Sequence, residues 1–141
     1  MTNESTDESL FDQAMARYQS GASASDVIHD FEAITISAPN HSAGWTCLAW
    51  LQLLCNRKDD ALRSARMAVK LSPQDPQARV NLSLALLETN SKGVRDHIDF
   101  VKRAMLMVPE LEKELKVSVE DGLTRKPDWL ALKKIESWLG F

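Results

Sequence analysis

Apolar residues recur along the chain at intervals of three and four, the spacing that places them on one face of a helix. Leu10, Phe11, Ala14, Met15 and Tyr18 form the first stripe, and Gly21 stands where it should stop. Val27, Ile28, Phe31, Ile34 and Ala38 form the second, with Ser25 placed to cap it. The run Ile34-Thr35-Ile36 has strand propensity, but the wider period is helical and packing overrides propensity. The third stretch, 42–55, is apolar on nearly every side. Trp45, Leu48, Ala49, Trp50, Leu51, Leu53 and Leu54 cannot all face one neighbour, so this helix is buried or carries a binding face. A fourth helix is predicted over 58–71, with Asp59 and Asp60 early and Arg66 and Lys70 late, the order that complements a helix dipole. Asp75-Pro76 starts a fifth, running to Glu88, with Asp as cap and Pro at the first helical position. After a turn at 90–93, Ile98, Val101, Ala104, Met105 and Val108 mark a sixth. Leu111, Leu115 and Val119 mark a seventh over 110–122, ended by Gly122 and Lys126-Pro127. An eighth opens at Asp128 with the dense stripe Trp129, Leu132, Ile135, Trp138 and Leu139. The expected fold class is all-α.

Beneath these helices lies a longer period. Pro39 and Pro73 are 34 residues apart, and a 34-residue step of paired helices marks a stacked array. With Ser42 as position 1, Trp45 falls at 4, Leu48 at 7, Ala49 at 8, Ala61 at 20, Ala68 at 27 and Pro73 at 32. This set resembles the tetratricopeptide repeat: W-x2-L-G-x2-Y in one helix, A-x3-F-x2-A in the next, then Pro. Gln52 and Ala65 depart from it at positions 11 and 24, where the preceding unit has Tyr18 and Phe31 in register. In the third unit Leu82 and Ser83 fit, and Val101, Ala104 and Pro109 fit after two residues inserted near 90–93. The resemblance covers roughly 8–109, closest in the middle, as terminal units with one face toward solvent would have it. It implies a disordered tail at 1–7 and a repeat domain at 8–126, with units at 8–41, 42–75 and 76–111 and an extra helix at 110–122. A capping helix follows at 127–141.

Charge and composition narrow the function classes. With 44% apolar and 26% charged residues in 141, the chain reads as one soluble globular domain. A formal net charge of −3 with acids and bases interleaved gives no basic stripe, so nucleic acid is not an expected partner. No apolar run approaches the roughly 18 residues of a membrane span. The polar, acidic start does not read as a signal peptide. Cys47 and Cys55, about 12 Å apart if on one helix, are too distant for a disulfide. Two such thiols fit a reducing cytoplasm, the expected location.

Catalytic chemistry is not expected, nor a cofactor, nor a metal. His29, His41 and His97 are scattered without metal-ligand spacing, and His41 is read as solvent-exposed. Cys47 and Cys55 have no base in their sequence neighbourhood. Asp59-Asp60 and Glu120-Asp121 are adjacent acids, which diverge by about 100° around a helix and do not converge on one proton. Met67, Met105 and Met107 read as core filling.

Arrays of this kind act chiefly by binding through a concave surface. The resemblance implies that each unit's first helix lines that surface: Ser9, Asp12, Ala16, Gln19 and Ser20 from the first unit. The second gives Ala43, Thr46, Trp50, Leu53 and Leu54, and the third Gln77, Val80, Leu84, Leu87 and Glu88. Chaperone-docking members of the family grip a terminal carboxylate with a cationic clamp. Here those positions hold Asp12, Ala16, Cys47, Gln77 and Asn81, with no cation. The groove expected from the register is therefore apolar, built of Thr46, Trp50, Leu53, Leu54, Val80, Leu84 and Leu87, with Trp50 as anchor for a peptide or helix. The expected role is a non-enzymatic adaptor, scaffold or assembly factor for a protein partner. Its alternatives are a holding chaperone for a secreted or membrane-assembled client and a homodimeric subunit. The stripe Trp129, Leu132, Ile135, Trp138 and Leu139 is expected to cap the array, fold into the groove or pair two copies.

Overall fold

A computed structural model describes the backbone of residues 3–141 and the side chains from Leu10 on. Eight helices follow one another: α1 Asn3–Gln19, α2 Ala24–Ser37, α3 Ser42–Leu54, α4 Lys58–Leu71, α5 Pro76–Glu88, α6 Val94–Met107, α7 Glu110–Arg125 and α8 Leu130–Leu139. No strand occurs among the described residues, so the fold is all-helical.

Local chemistry sets most of the boundaries. Asp75 caps α5, its carboxylate accepting from the Gln77 backbone N–H at 3.0 Å, and Pro76 follows at the first position, where its missing donor costs nothing. Gly21 has φ +105° after α1, a left-handed conformation that a side chain would strain. Ser23, not Ser25, caps α2: its Oγ accepts from the Asp26 N–H at 3.2 Å, because the helix begins two residues earlier than expected. α1 also begins earlier, at Asn3, inside the stretch expected as a tail; Met1 and Thr2 lie outside the described residues.

Helices pair as α1/α2, α3/α4 and α5/α6, and each second helix packs on the next unit's first. Ala49, Ala61, Ala65 and Ala68 are fully buried at these seams, where the small side chain lets the helices approach. α3 is the array's spine, with eight buried residues from Gly44 to Leu53. At the N-terminal end the core is Ala14, Val27, Ile28, Phe31, Ile34, Leu48 and Leu51, with Phe11 edge-on to Phe31 at 5.7 Å. His41 is half-buried against Phe11 at 5.0 Å, not solvent-exposed as expected, because the turn before α3 folds over the first unit.

The C-terminal third departs from a regular array. α8 stacks on α5 and α6, burying Trp129, Leu132, Ile135 and Leu139; Trp138 stays 43% exposed. α7 instead leaves the stack and crosses the face formed by the first helices. It continues through Gly122, expected as its end, to Arg125. Met107 is 83% exposed, not core filling, because α6 ends before the chain turns inward.

Candidate functional site on the concave face

α1, α3 and α5 line the inner face, as the repeat register implies. The structure brings the expected groove residues together but covers them. Trp50, Leu53, Val80 and Leu84 are buried in one cluster with Leu115 and Val119 of α7 and Trp129, Leu132, Ile135 and Leu139 at α8. Thr46 is buried beside them, and Leu54 and Leu87 are partly buried on the same cluster. Trp50, expected as an anchor for a partner, is 9% exposed and packs on Trp129 with ring centroids 5.3 Å apart. These side chains are not an open groove here. The register says which positions point inward; it cannot say that a later helix lies over them.

A polar network holds α7 in place. The Trp50 indole N–H donates to the Tyr18 hydroxyl at 2.9 Å, and that hydroxyl donates to Asp121 Oδ2 at 2.5 Å. Arg125 Nε donates to Asp121 Oδ1 at 3.0 Å, and its guanidinium lies 3.7 Å over the Tyr18 ring. Burial raises the Tyr18 pKa well above the ordinary phenol value, and the hydrogen bond to Asp121 raises it further. The hydroxyl is therefore a fixed donor.

Three residues at the end of α7 then stitch the array together. Arg125 donates to the Tyr18 and Ala22 carbonyls at 2.7 and 2.8 Å, at the end of α1. Lys126 Nζ reaches the Leu53 carbonyl at 3.4 Å and Asn56 Oδ1 at 2.6 Å, at the end of α3. The Trp129 indole N–H donates to Glu88 Oε1 at 2.8 Å, at the end of α5. Cations at helix C-termini face the negative end of each dipole.

What α7 leaves uncovered is a cleft of about 380 Å³ between α1, α3, α5 and α7. Met15, Phe31, Cys47, Leu51 and Trp50 form its apolar wall. Gln19, Gln77, Asn81 and Ser118 supply amide and hydroxyl groups, and Val117, 61% exposed, stands at its edge. Asn81 is pinned: its Nδ2 donates to the Thr46 carbonyl at 2.9 Å, and its Oδ1 accepts from Gln77 Nε2 at 2.9 Å. The Cys47 thiol donates to Met15 Sδ at 3.6 Å, and burial pushes its pKa up to about 12. A thiol so desolvated is a packing group and not a nucleophile.

No family model matches the chain, and no curated protein matches it. Solved structures do match it, one of them from end to end. It is the type III secretion translocator chaperone SycD of Yersinia enterocolitica, in an alternative dimer. The likeness has a TM-score of 0.67 and 19% identity, covering 97% of this chain and 96% of that one. The chain thus has an all-helical repeat fold like that chaperone's.

Of the cleft residues, the repeat register named Gln19, Thr46, Cys47, Trp50, Gln77 and Asn81, but not Leu51 of α3 or Val117, Ser118, Asp121 and Arg125 of α7. Leu111, Leu115 and Val119 at helical spacing did signal a buried face on α7, without saying against what. Among the described residues no group of His, Cys, Asp and Glu is placed to hold a metal ion. No helix among them is long and apolar enough to cross a membrane. Chemically, the cleft can bury an apolar side chain and satisfy a few backbone groups beside it.

Proposed function

We propose that the chain is a cytoplasmic holding chaperone that keeps an apolar segment of a secreted or membrane-assembled client in its concave cleft. The observation that carries this reading is the end-to-end likeness in fold to a translocator chaperone. The cleft chemistry supports it: an apolar wall takes side chains, and Gln19 and Gln77 set amide groups beside it. A general adaptor would use the same cleft; the likeness favours the chaperone.

The test places a photo-crosslinking residue at Gln77, on the cleft wall, and identifies what it captures in the native cell. The expected capture is an exported or membrane-inserted protein, lost in a Val117→Arg background that puts bulk and charge at the cleft edge. Capture of cytosolic enzymes, indifferent to Val117→Arg, would sink the proposal.

A second reading concerns copies of the chain. Leu130 and Trp138 are exposed on the outer face of α8, where a terminal cap should be polar, and the similar chaperone is described as a dimer. Light scattering should then give twice the monomer mass, and Trp138→Glu should return it to one.

A further inference from the structure

α7 is held differently from every other helix. Its fully buried residues are Leu115, Val119 and Gly122, whereas Glu112, Lys113, Glu114, Lys116 and Glu120 are exposed. The joint before it is unpacked: Leu106, Met107 and Val108 are all exposed. The joint after it is firm, because Lys126 is bonded to the end of α3 and Trp129 is buried and bonded to Glu88. Its own sequence is a weak helix former from Val117 to Thr124, where two valines, Ser118, Asp121 and Gly122 cluster. What fixes its register is the network of Tyr18, Asp121 and Arg125, at the edge of the cleft.

We propose that α7 is a displaceable strap: it occupies the concave face as a built-in surrogate for the client and opens locally, between the joints at 108–109 and 126–129, when an amphipathic client helix takes its place. This deepens the chaperone reading and rests on it. The surrogate also describes the client. It is a helix with apolar residues at i and i+4, as Leu115 and Val119 are. It carries a small residue at i+7 over the Trp50 ring, where Gly122 now sits, and an acid beside it to meet the Tyr18 hydroxyl. Displacement bares the α7-facing side of Trp50, a residue the repeat register assigns to a groove. A covered apolar face stays soluble without client, and a helix of low intrinsic stability is what local opening draws on.

Hydrogen exchange on the full chain tests this without any client. Amides of α7 should exchange at least tenfold faster than those of α3, α5 and α8. Arg125→Ala should speed α7 a further tenfold and leave the other helices unchanged. The binding probe is a fluorescent synthetic peptide of residues 110–125, which should bind the Arg125→Ala chain at least tenfold more tightly than the wild type. Protection of α7 equal to that of α5 and α8 overturns the strap, as does equal peptide binding by the two chains. If Arg125→Ala unfolds the whole molecule, α7 is a keystone and the strap is overturned. Exchange of α7 and crosslinking at Gln77 are independent readouts, so a mobile strap without client capture sinks the chaperone reading alone.

Discussion

The backbone of Gly122 lies against the Trp50 ring so closely that a Cβ there would stand 2.9 Å from Cη2 and Cζ2, and 2.6 Å from Leu132 Cδ2. A methyl at this position has nowhere to go, because Trp50 is backed by Trp129 and Leu132 is fully buried. Alanine in a helix gains about 1 kcal/mol over glycine. Overpacking a filled core costs about 1–3 kcal/mol, and more where rings must move. The second effect wins, so Gly122→Ala should lower stability by about 1–2 kcal/mol in urea unfolding. A stabilised variant would show that α7 does not seat on Trp50 in solution.

Tyr18→Phe isolates the network that holds α7. The ring and its contact with Arg125 survive, but the Trp50 indole N–H and Asp121 Oδ2 both lose their partner. Leaving a part-buried polar group unsatisfied costs about 1–3 kcal/mol. The variant should unfold about 1–2 kcal/mol more easily, and the tryptophan emission should change in the folded state because Trp50 is repositioned. An unchanged spectrum and midpoint would mean that the hydroxyl does not bridge α1, α3 and α7.

The helices were legible because they follow from local periodicity, and the inner-face positions because the 34-residue register resembles a known repeat. Asp75-Pro76 and the apolar 42–55 stretch each carry their structural meaning within a few residues. What the sequence concealed lies between distant segments. Gly122 looked like a stop because glycine favours helix ends. Its contact with Trp50, 72 positions earlier, is what keeps it inside α7. Trp50, Leu53, Val80 and Leu84, expected as a groove, share one buried cluster with α7, and no pattern in α3 or α5 says that α7 covers them. Likewise the split between α7 and α8, one crossing the inner face and one capping, depends on Lys126 and Trp129 reaching α3 and α5.

Gln52 is a site where sequence and fold disagree. It stands where the repeat has Tyr, is 5% exposed, and its carboxamide oxygen is buried without a hydrogen-bond partner. An unsatisfied buried acceptor costs about 1–3 kcal/mol. Gln52→Leu removes it with little change in volume, so stability should rise by about 0.5–1.5 kcal/mol in urea unfolding. A destabilised variant would show that the oxygen is bonded in solution.

The two thiols should react at different rates. A thiol pushed up to about 12, as at Cys47, holds on the order of one thiolate in ten thousand molecules at pH 8. At Cys55 burial also raises the pKa, but Arg57 and Lys126 oppose it, and the thiol is more open to solvent. Iodoacetamide at pH 8 should therefore modify Cys55 well before Cys47, read by mass spectrometry on the intact chain. The linkage follows in sign: Cys47 is an acid whose folded pKa lies above its ordinary value near 9. Its contribution to stability is full below pH 9 and falls as pH rises from 9 toward 12, since only the unfolded chain readily loses the proton. In Cys47→Ser that alkaline loss should shrink.

Removing residues 126–141 tests whether α8 is a cap or a detachable arm. Trp129, Leu132, Ile135 and Leu139 are all buried against α5 and α6. Each such side chain contributes about 1.5–3 kcal/mol on burial, so four amount to about 6–12 kcal/mol. A domain of this size has about 5–15 kcal/mol in all. The loss also strips the Lys126 and Trp129 bonds from the ends of α3 and α5. The shortened chain should therefore lose cooperative unfolding by circular dichroism and aggregate on gel filtration. The double substitution Leu130→Glu, Trp138→Glu touches only the exposed face of the same helix and should keep the wild-type helix content and cooperative unfolding. If the shortened chain instead folds as a stable monomer, α8 is not part of the core, and its outer face cannot be read as the end of the array.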